Sequence, residues 1–156
     1  MSELRVPTEA LAAEVLCADG RSFVGRIFVP VTASRHSGPM RPEEWLNDPA
    51  PFFPFLPDDA DAPVLLNKRE VLVLSVPAAP DLGEVPEEVL HPVRRVAVEA
   101  EEQRLEGTVV IDMPQTHTRM LDYLNRPEAF LTLRNGGQRH LVQKERITRV
   151  IELREG

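Results

Sequence analysis

The sequence predicts a mainly β protein with short helices, organised as a tandem duplication of a five-stranded unit of about 60 residues. Three observations lead to this fold class. An unusual phrase occurs twice, as EEWLNDPAPFF from Glu43 and as LDYLNRPEAFL from Leu121. Apolar and polar residues alternate before each copy, which is the period of a half-buried strand. Lysine occurs twice, at Lys68 and Lys144, and both lysines fall at matching places in the two halves.

The two halves align in three segments that keep the same order along the chain. RSFVGRIFV (21–29) aligns with QRLEGTVVI (103–111), and the repeated phrase follows in both halves. VLLNKREVLVL (64–74) then aligns with HLVQKERITRV (140–150). Three matches in one order indicate that the unit itself recurs.

These alignments set the predicted domain boundaries. We expect a first β repeat over residues 13–76 and a second over residues 93–153. The intervening segment, 77–92, is rich in Pro and Glu and is typical of a linker. We expect the two repeats to associate as a pseudo-dimer, because duplicated halves can share the interface that a homodimer would use.

Each repeat is predicted to begin with a β-hairpin. Apolar residues stand at alternate positions over 23–29 and again over 105–111, so one face of each strand can be buried. The dipeptide Asp19-Gly20 precedes the first of these strands and favours a two-residue hairpin turn.

A helix of one or two turns is predicted between strands two and three of each repeat. Pro42 suits the first helical position, and the two glutamates after it suit the positive end of the helix. Asn47 and Asn125 stand where the helix must end. Asn tolerates the left-handed conformation at that exit, and the proline two residues later prevents the helix from continuing.

Three further strands complete the predicted repeat. The strand after the helix contains Pro54 in the first copy, and because proline lacks an N–H, we expect an edge strand or a bulge there. RNGGQ (134–138) predicts a hairpin turn, and a short turn at Lys144 precedes the last strand. We expect the aromatic residues, Phe52 and Phe53 among them, to lie mostly in the core.

Five short strands with a turn before the last one resemble the small barrels of SH3-like and Sm-like proteins. The resemblance rests on strand number and on that final turn, and it covers each repeat separately. It implies a small, strongly bent sheet or barrel in each half.

Composition and charge exclude several classes of function. The formal charge of the chain is −7, with −8 in residues 1–90 and +1 in residues 91–156, which argues against binding DNA through its phosphates. No apolar stretch approaches the roughly 20 residues of a membrane-spanning helix. The first residues do not resemble a signal peptide, and the single Cys17 fits a reducing compartment, so we expect a cytoplasmic location.

The residue pattern predicts neither a catalytic site nor a metal site. The four histidines show no metal-ligand spacing with one another, with Cys17 or with carboxylates. Cys17 falls in a predicted strand, where a buried thiol is the usual arrangement. We expect no cofactor and no enzymatic activity.

A ligand or partner site is a weaker possibility that the sequence leaves open. The loops 32–38 and 115–119 each bring hydroxyl groups, one histidine and one arginine close to a helix start, where an anion can bind. The second repeat is also rich in arginine. The candidate binding residues are Arg41, His117, Thr118, Arg119, Arg126, Lys144 and Arg146.

Three functions follow from these observations. The leading hypothesis is a non-catalytic protein–protein interaction module, an adaptor or scaffold subunit whose partner is another protein or a second copy of itself. A ligand-responsive regulatory domain that binds an anionic metabolite or nucleotide is the first alternative. RNA binding through the arginine-rich second repeat is the other.

Overall fold

The computed structural model describes residues 8–30, 40–77, 92–111 and 120–153. The chain divides into two compact units, residues 1–76 and 77–156, which we call the first and second unit. The first unit contains β1 (Thr8–Cys17), β2 (Ser22–Pro30), α1 (Pro42–Leu46), β3 (Phe52–Pro57), β4 (Val64–Asn67), a 3-10 turn (Lys68–Glu70) and β5 (Val71–Pro77). The second contains β6 (Val93–Ala100), β7 (Gln103–Val110), α2 (Met120–Leu124), β8 (Phe130–Asn135), β9 (Gln138–Gln143), a 3-10 turn (Lys144–Arg146) and β10 (Ile147–Glu152).

The strands of each unit are antiparallel and follow the same spatial order. In the first unit the order is β5-β1-β2-β3-β4, and in the second it is β10-β6-β7-β8-β9. The described elements of each unit also follow one sequence along the chain, with a helix between the second and third strands and a 3-10 turn before the last. The predicted class, mainly β with short helices, is confirmed.

Alternation in β1, β2 and β3 supplies part of the core, while β5 and β6 bury runs of consecutive residues. Val15, Ile27 and Phe55 are fully buried in the first unit, while their neighbours along β1 and β2 are exposed or half-buried. Val98 and Leu133 are equally buried in the second unit. Successive side chains of a strand point to opposite faces, so every second residue can enter the core.

One glycine in each unit allows two strands to approach closely. A Cβ atom on Gly25 would collide with the carbonyl oxygen of Leu56, and one on Gly107 would collide with the carbonyl oxygen of Arg134. Gly25 pairs with Pro57, and Thr108, next to Gly107, pairs with Arg134. The third strand of each unit therefore packs against the backbone of the second where a side chain would not fit.

The two helices end where the sequence predicts, but the exit has a different geometry. Asn47 follows α1, and its N–H donates to the carbonyl oxygen of Glu43 at 3.1 Å. Its φ of −81° and ψ of −1° are right-handed, so the prediction of a left-handed asparagine is wrong. The N–H of Asn125 donates to the carbonyl of Leu121 in the same way, at 3.1 Å. The last turn closes with ordinary helical hydrogen bonds, which removes the need for a left-handed residue.

Pro54 lies in a strand that has neighbours on both sides. β3 pairs with β4 over Phe52–Phe55, but its described pairs with β2 involve only Leu56 and Pro57. Pro54 itself pairs with Leu65 of β4. β3 is therefore not the edge strand, yet its proline falls outside the stretch that pairs with β2, where its missing N–H costs no ladder hydrogen bond.

Glu99 on β6 is held by two arginines on neighbouring strands. Arg149 donates from Nε and Nη2 to its carboxylate oxygens at 3.0 and 2.9 Å, and Arg104 Nη1 donates at 3.1 Å. The hydrogen bond with Arg149 is the main cause that holds the pKa of Glu99 below its ordinary value.

We expect Arg149→Gln to raise the pKa of Glu99 toward its ordinary value, measured by a nuclear magnetic resonance titration of its side-chain carboxyl. A carboxyl with a lowered folded pKa stabilises the fold above its unfolded pKa and loses that contribution as pH falls through the folded pKa. The variant should therefore lose less stability on acidification than the wild type. Arg21→Gln, which removes the partner of Asp19 instead, is the control. A Glu99 pKa that does not respond to Arg149→Gln would contradict the assignment.

Candidate functional site

The first unit exposes large apolar side chains on β3 and β4, the two outermost strands at one end of its spatial order. Phe52 is 53% exposed, Val64 41% and Leu65 70%. We call Phe52 and Leu65, on β3 and β4, the apolar edge, since Val64 pairs with the buried Phe55 and belongs to the opposite face. The prediction that the aromatics are mostly core residues is wrong for Phe52, whereas the adjacent Phe53 is buried. The two point to opposite faces because they are neighbours in a strand.

Strand register explains how the apolar edge forms. Pro54 pairs with Leu65, and Phe52 pairs with Asn67, so these four residues share one face of the β3–β4 ribbon. Phe53 pairs with Leu66 on the opposite face, which turns toward the core. The outer face thus carries Phe52 and Leu65 close to each other across two strands.

β4 is also the outermost strand in the spatial order of the first unit. Within the described residues no strand pairs with its outer side. The sequence of β4 is VLLN, without any charged residue. Edge strands that avoid further pairing are often very short or carry charges, proline or a bulge; β4 is only four residues long but has none of the other three. Among the described residues, the outward N–H and C=O groups of β4 thus have no strand partner, and apolar side chains are exposed beside them.

The corresponding surface of the second unit is different. Phe130 and Leu141 align with Phe52 and Leu65, and they are 4% and 0% exposed. On the outer face, Leu56 of β3 corresponds to Arg134 of β8. The two units share a strand order but present different chemistry, apolar in the first unit and charged in the second.

Two of the sequence-predicted site residues, Arg126 and Lys144, come together in the second unit. Lys144 Nζ donates to the carbonyl oxygen of Arg126 at 3.1 Å. The Arg126 guanidinium lies 4.9 Å from the centre of the Tyr123 ring, and its Nε donates to Glu128 at 3.1 Å. These contacts fasten the chain after α2 and involve groups that a ligand would otherwise use.

The lysine of the first unit makes the same contact. Lys68 Nζ donates to the carbonyl oxygen of Asp48 at 2.7 Å, and Asp48 aligns with Arg126. The backbone agrees, because Lys68 N–H donates to the carbonyl of Pro51 and Lys144 N–H to that of Ala129, both at 2.8 Å. Burial is the main cause that lowers the pKa of each lysine. The matching lysines thus make the same contact in both units, and the predicted binding role of Lys144 stays a prediction.

The other described residues of the predicted site make contacts of their own. Arg146 Nη1 donates to Glu101 Oε1 at 3.3 Å. Glu101 is in the left-handed region, with φ of 53°, at the turn between β6 and β7. Arg41 belongs to the first unit, where its N–H donates to the Glu44 carboxylate at 3.0 Å and begins α1.

Several predicted features fall outside the described residues. They include His117, Thr118 and Arg119 of the candidate site, the loop 32–38 and most of the linker 77–92. The anion site that was predicted from the two loops therefore stays a prediction.

Two kinds of reactive group can be assessed in the described part of the chain, namely potential metal ligands and the thiol of Cys17. No group of three or more His, Cys, Asp or Glu residues there could hold a metal ion. Cys17 is 5% exposed, and burial is the main cause that raises the pKa of its thiol. A buried thiol with a raised pKa is a poor nucleophile.

No helix among the described residues is long and apolar enough to cross a lipid bilayer. Comparisons with protein-family models, with curated proteins and with solved structures found no match to this chain.

Proposed function

We propose that this chain is a non-catalytic protein–protein interaction module, an adaptor or scaffold subunit, that binds another protein through the apolar edge of its first unit. The observation that carries the proposal is the exposure of Phe52 on β3 and Leu65 on β4, at 53% and 70%, where β4 is an uncharged outermost strand. Large exposed apolar side chains that cluster on a folded surface are typical of interaction sites.

The geometry favours one mode of binding, in which a partner strand adds to β4. The free N–H and C=O groups of β4 would bond to the backbone of the incoming strand, and this supplies affinity with little dependence on sequence. Alternate apolar side chains of the partner would pack on Phe52 and Leu65 and supply specificity. A second copy of the chain can add its own β4 in this way, related by a two-fold axis.

The proposal includes an origin by tandem duplication, with repeats 13–76 and 93–153 as SH3-like or Sm-like barrel units that form a pseudo-dimer. The shared strand order supports it, together with the glycines and lysines that make matching contacts in both units. A cytoplasmic site of action fits the single, buried Cys17.

The test compares two exposed leucines that lie at different places on the surface. Leu65 and Leu121 are exposed at 70% and 60%, but Leu65 lies on the apolar edge and Leu121 on α2. A photo-reactive amino acid at position 65 should cross-link to a discrete partner in the native host, while the same label at position 121 should not. Sedimentation of the purified chain shows whether that partner is a second copy.

Affinity for that partner should fall about 30-fold in Leu65→Lys, the cost of losing one interface hot spot. Leu121→Lys should bind like the wild type. The proposal fails if the purified chain is monomeric and position 65 cross-links to nothing. It also fails if both lysine variants weaken binding equally.

A further inference from the structure

The outer side of β4 carries backbone hydrogen-bonding groups in a regular pattern. Lys68 follows the strand, and its N–H donates to the carbonyl oxygen of Pro51 on the β3 side at 2.8 Å. Hydrogen-bonded and non-bonded pairs alternate along an antiparallel ladder, so Leu66, two residues earlier, also directs its backbone groups toward β3. The N–H and C=O groups of Leu65 and Asn67 therefore point outward, where no strand among the described residues pairs with them.

Apolar side chains are exposed on both faces of this strand. Leu65 is 70% exposed on the outer face, and Val64, which pairs with the buried Phe55, is 41% exposed on the opposite face. A partner that packed on one face of the sheet would leave the side chain on the other face in water. A strand added beside β4 contacts both, because successive residues of a strand point to opposite faces. The exposure of both side chains therefore favours strand addition over packing on the sheet surface.

The sequence of β4 matches itself in one antiparallel register. With Leu65 on a two-fold axis, Leu65 faces Leu65 of the second copy, and Val64 faces Leu66 of that copy. All three apolar residues of the strand then lie directly opposite apolar residues, at the distance where cross-strand side chains interact. Moving the axis by one residue to Leu66 would instead set Leu65 against the amide of Asn67. The register centred on Leu65 is therefore the one that buries the most apolar surface.

The same register satisfies most of the outward backbone groups. Leu65 and its symmetry mate would exchange two N–H to C=O hydrogen bonds across the axis, because both point outward at directly opposed positions. The N–H of Asn67 would lie opposite the carbonyl of Pro63 in the second copy, and the symmetry repeats this bond. Pro63 has no N–H to donate, so the carbonyl of Asn67 stays with water.

Charge favours this antiparallel orientation over a parallel one. The loop 58–61, which precedes β4, carries three exposed aspartates that form no salt bridge with any residue the structure describes. A parallel pairing would place the two aspartate loops side by side, where like charges repel. The antiparallel pairing places each loop beside the turn Lys68–Glu70 of the other copy, which carries two basic residues and one acidic residue. Both basic residues keep contacts within their own chain, so avoidance of the repulsion, rather than a bare cationic site, selects the orientation.

We propose that the partner of the apolar edge is a second copy of this chain, whose β4 pairs antiparallel with β4 about a two-fold axis at Leu65. This inference rests on the proposed function, because it names the protein that the interaction module binds. The contact involves a strand of only four residues from each copy. Small interfaces are typical of weak or transient complexes, so we expect a dissociation constant on the order of 10 µM.

Sedimentation velocity of the purified full chain tests the proposal. A reversible dimer should form as the concentration rises from about 1 to 500 µM. Leu65→Lys sets two ammonium groups face to face at the axis, and Leu65→Glu does the same with two carboxylates. Each variant should raise the dimer dissociation constant by about 100-fold or more, because every dimer contains the change twice.

A mixture of the two charge variants tests the register itself. Equal amounts of Leu65→Lys and Leu65→Glu should form a heterodimer with an affinity within about tenfold of the wild type, since opposite charges then face each other across the axis. A variant that failed to fold could not be rescued in this way. Leu121→Lys and Leu121→Glu are the matched controls, because Leu121 is 60% exposed on α2. Alone or mixed, they should dimerise like the wild type.

The outcomes separate this inference from the proposed function. A chain that stays monomeric up to about 500 µM overturns the inference, and cross-linking from position 65 to a different host protein would then leave the proposed function standing. A dimer that Leu65→Lys does not weaken also overturns the inference. The same holds for a mixture of the two charge variants that remains monomeric, because Leu65 would then not lie on the axis.

Discussion

Alanine at Gly25 or at Gly107 is expected to lower the free energy of unfolding by about 3 kcal/mol. In each case the new Cβ would overlap a backbone carbonyl oxygen of the facing strand, Leu56 or Arg134. A flexible side chain could move aside, but a carbonyl can yield only if the strand shifts and its hydrogen bonds lengthen. Urea denaturation followed by circular dichroism measures the loss.

Gly137→Ala is the control for both glycine variants. Nothing lies within 4 Å of a Cβ at Gly137, so the change should stay within about 0.5 kcal/mol of the wild type. If Gly107→Ala were as stable as Gly137→Ala, β8 would not approach β7 as closely as described.

Methionine at Lys68 or at Lys144 is expected to cost about 2 kcal/mol. Each substitution keeps the aliphatic stem but removes the charged donor from the carbonyl of Asp48 or Arg126, which are bonded at 2.7 and 3.1 Å. Relief of lysine burial offsets part of the loss, since burial already lowers the pKa of both groups. Thermal and urea unfolding of the full chain provide the measurement.

Arg69→Met tests whether any loss of charge near the 3-10 turn has the same effect. Arg69 is exposed, and its substitution should change stability by no more than about 0.5 kcal/mol. A Lys144→Met variant that kept full stability but lost anion binding would reverse our assignment and return Lys144 to a ligand-binding role.

The sequence predicts the order of elements well, because that order depends on local patterns. Alternation over 23–29 and over 105–111 marks the strands that the structure contains, and Asp19-Gly20 marks the turn before the first of them. The helix stop at Asn47 is also local and was placed correctly. Its backbone geometry was not, since the preceding turn satisfied the same hydrogen bonds without a left-handed residue.

Surface properties proved harder to predict, because they depend on which strands become neighbours. Composition alone cannot show that Phe52 points away from the core while Phe53 points into it, and only the pairing with β4 places Leu65 beside it. The second unit shows the same dependence on register. Arg95, Thr108 and Arg134 are distant in sequence and meet only through the register of three strands.

Candidate residues chosen by type make contacts that the sequence does not reveal, for a related reason. Arg126 and Lys144 looked like ligand-binding cations, but folding directs the lysine to a backbone carbonyl and the arginine to Tyr123 and Glu128. The sequence offers one clue to these contacts. A lysine that recurs at the same place in both halves is expected to support the fold that the halves share.

The single tryptophan and the single tyrosine lie in different units. Trp45 packs edge-on against Phe53 at 5.3 Å, and Tyr123 lies beneath the Arg126 guanidinium. Each half therefore contains its own natural chromophore, and the emission of each reports on a different ring environment. Selective excitation of the tryptophan can thus follow the unfolding of the first half by itself in the unlabelled chain.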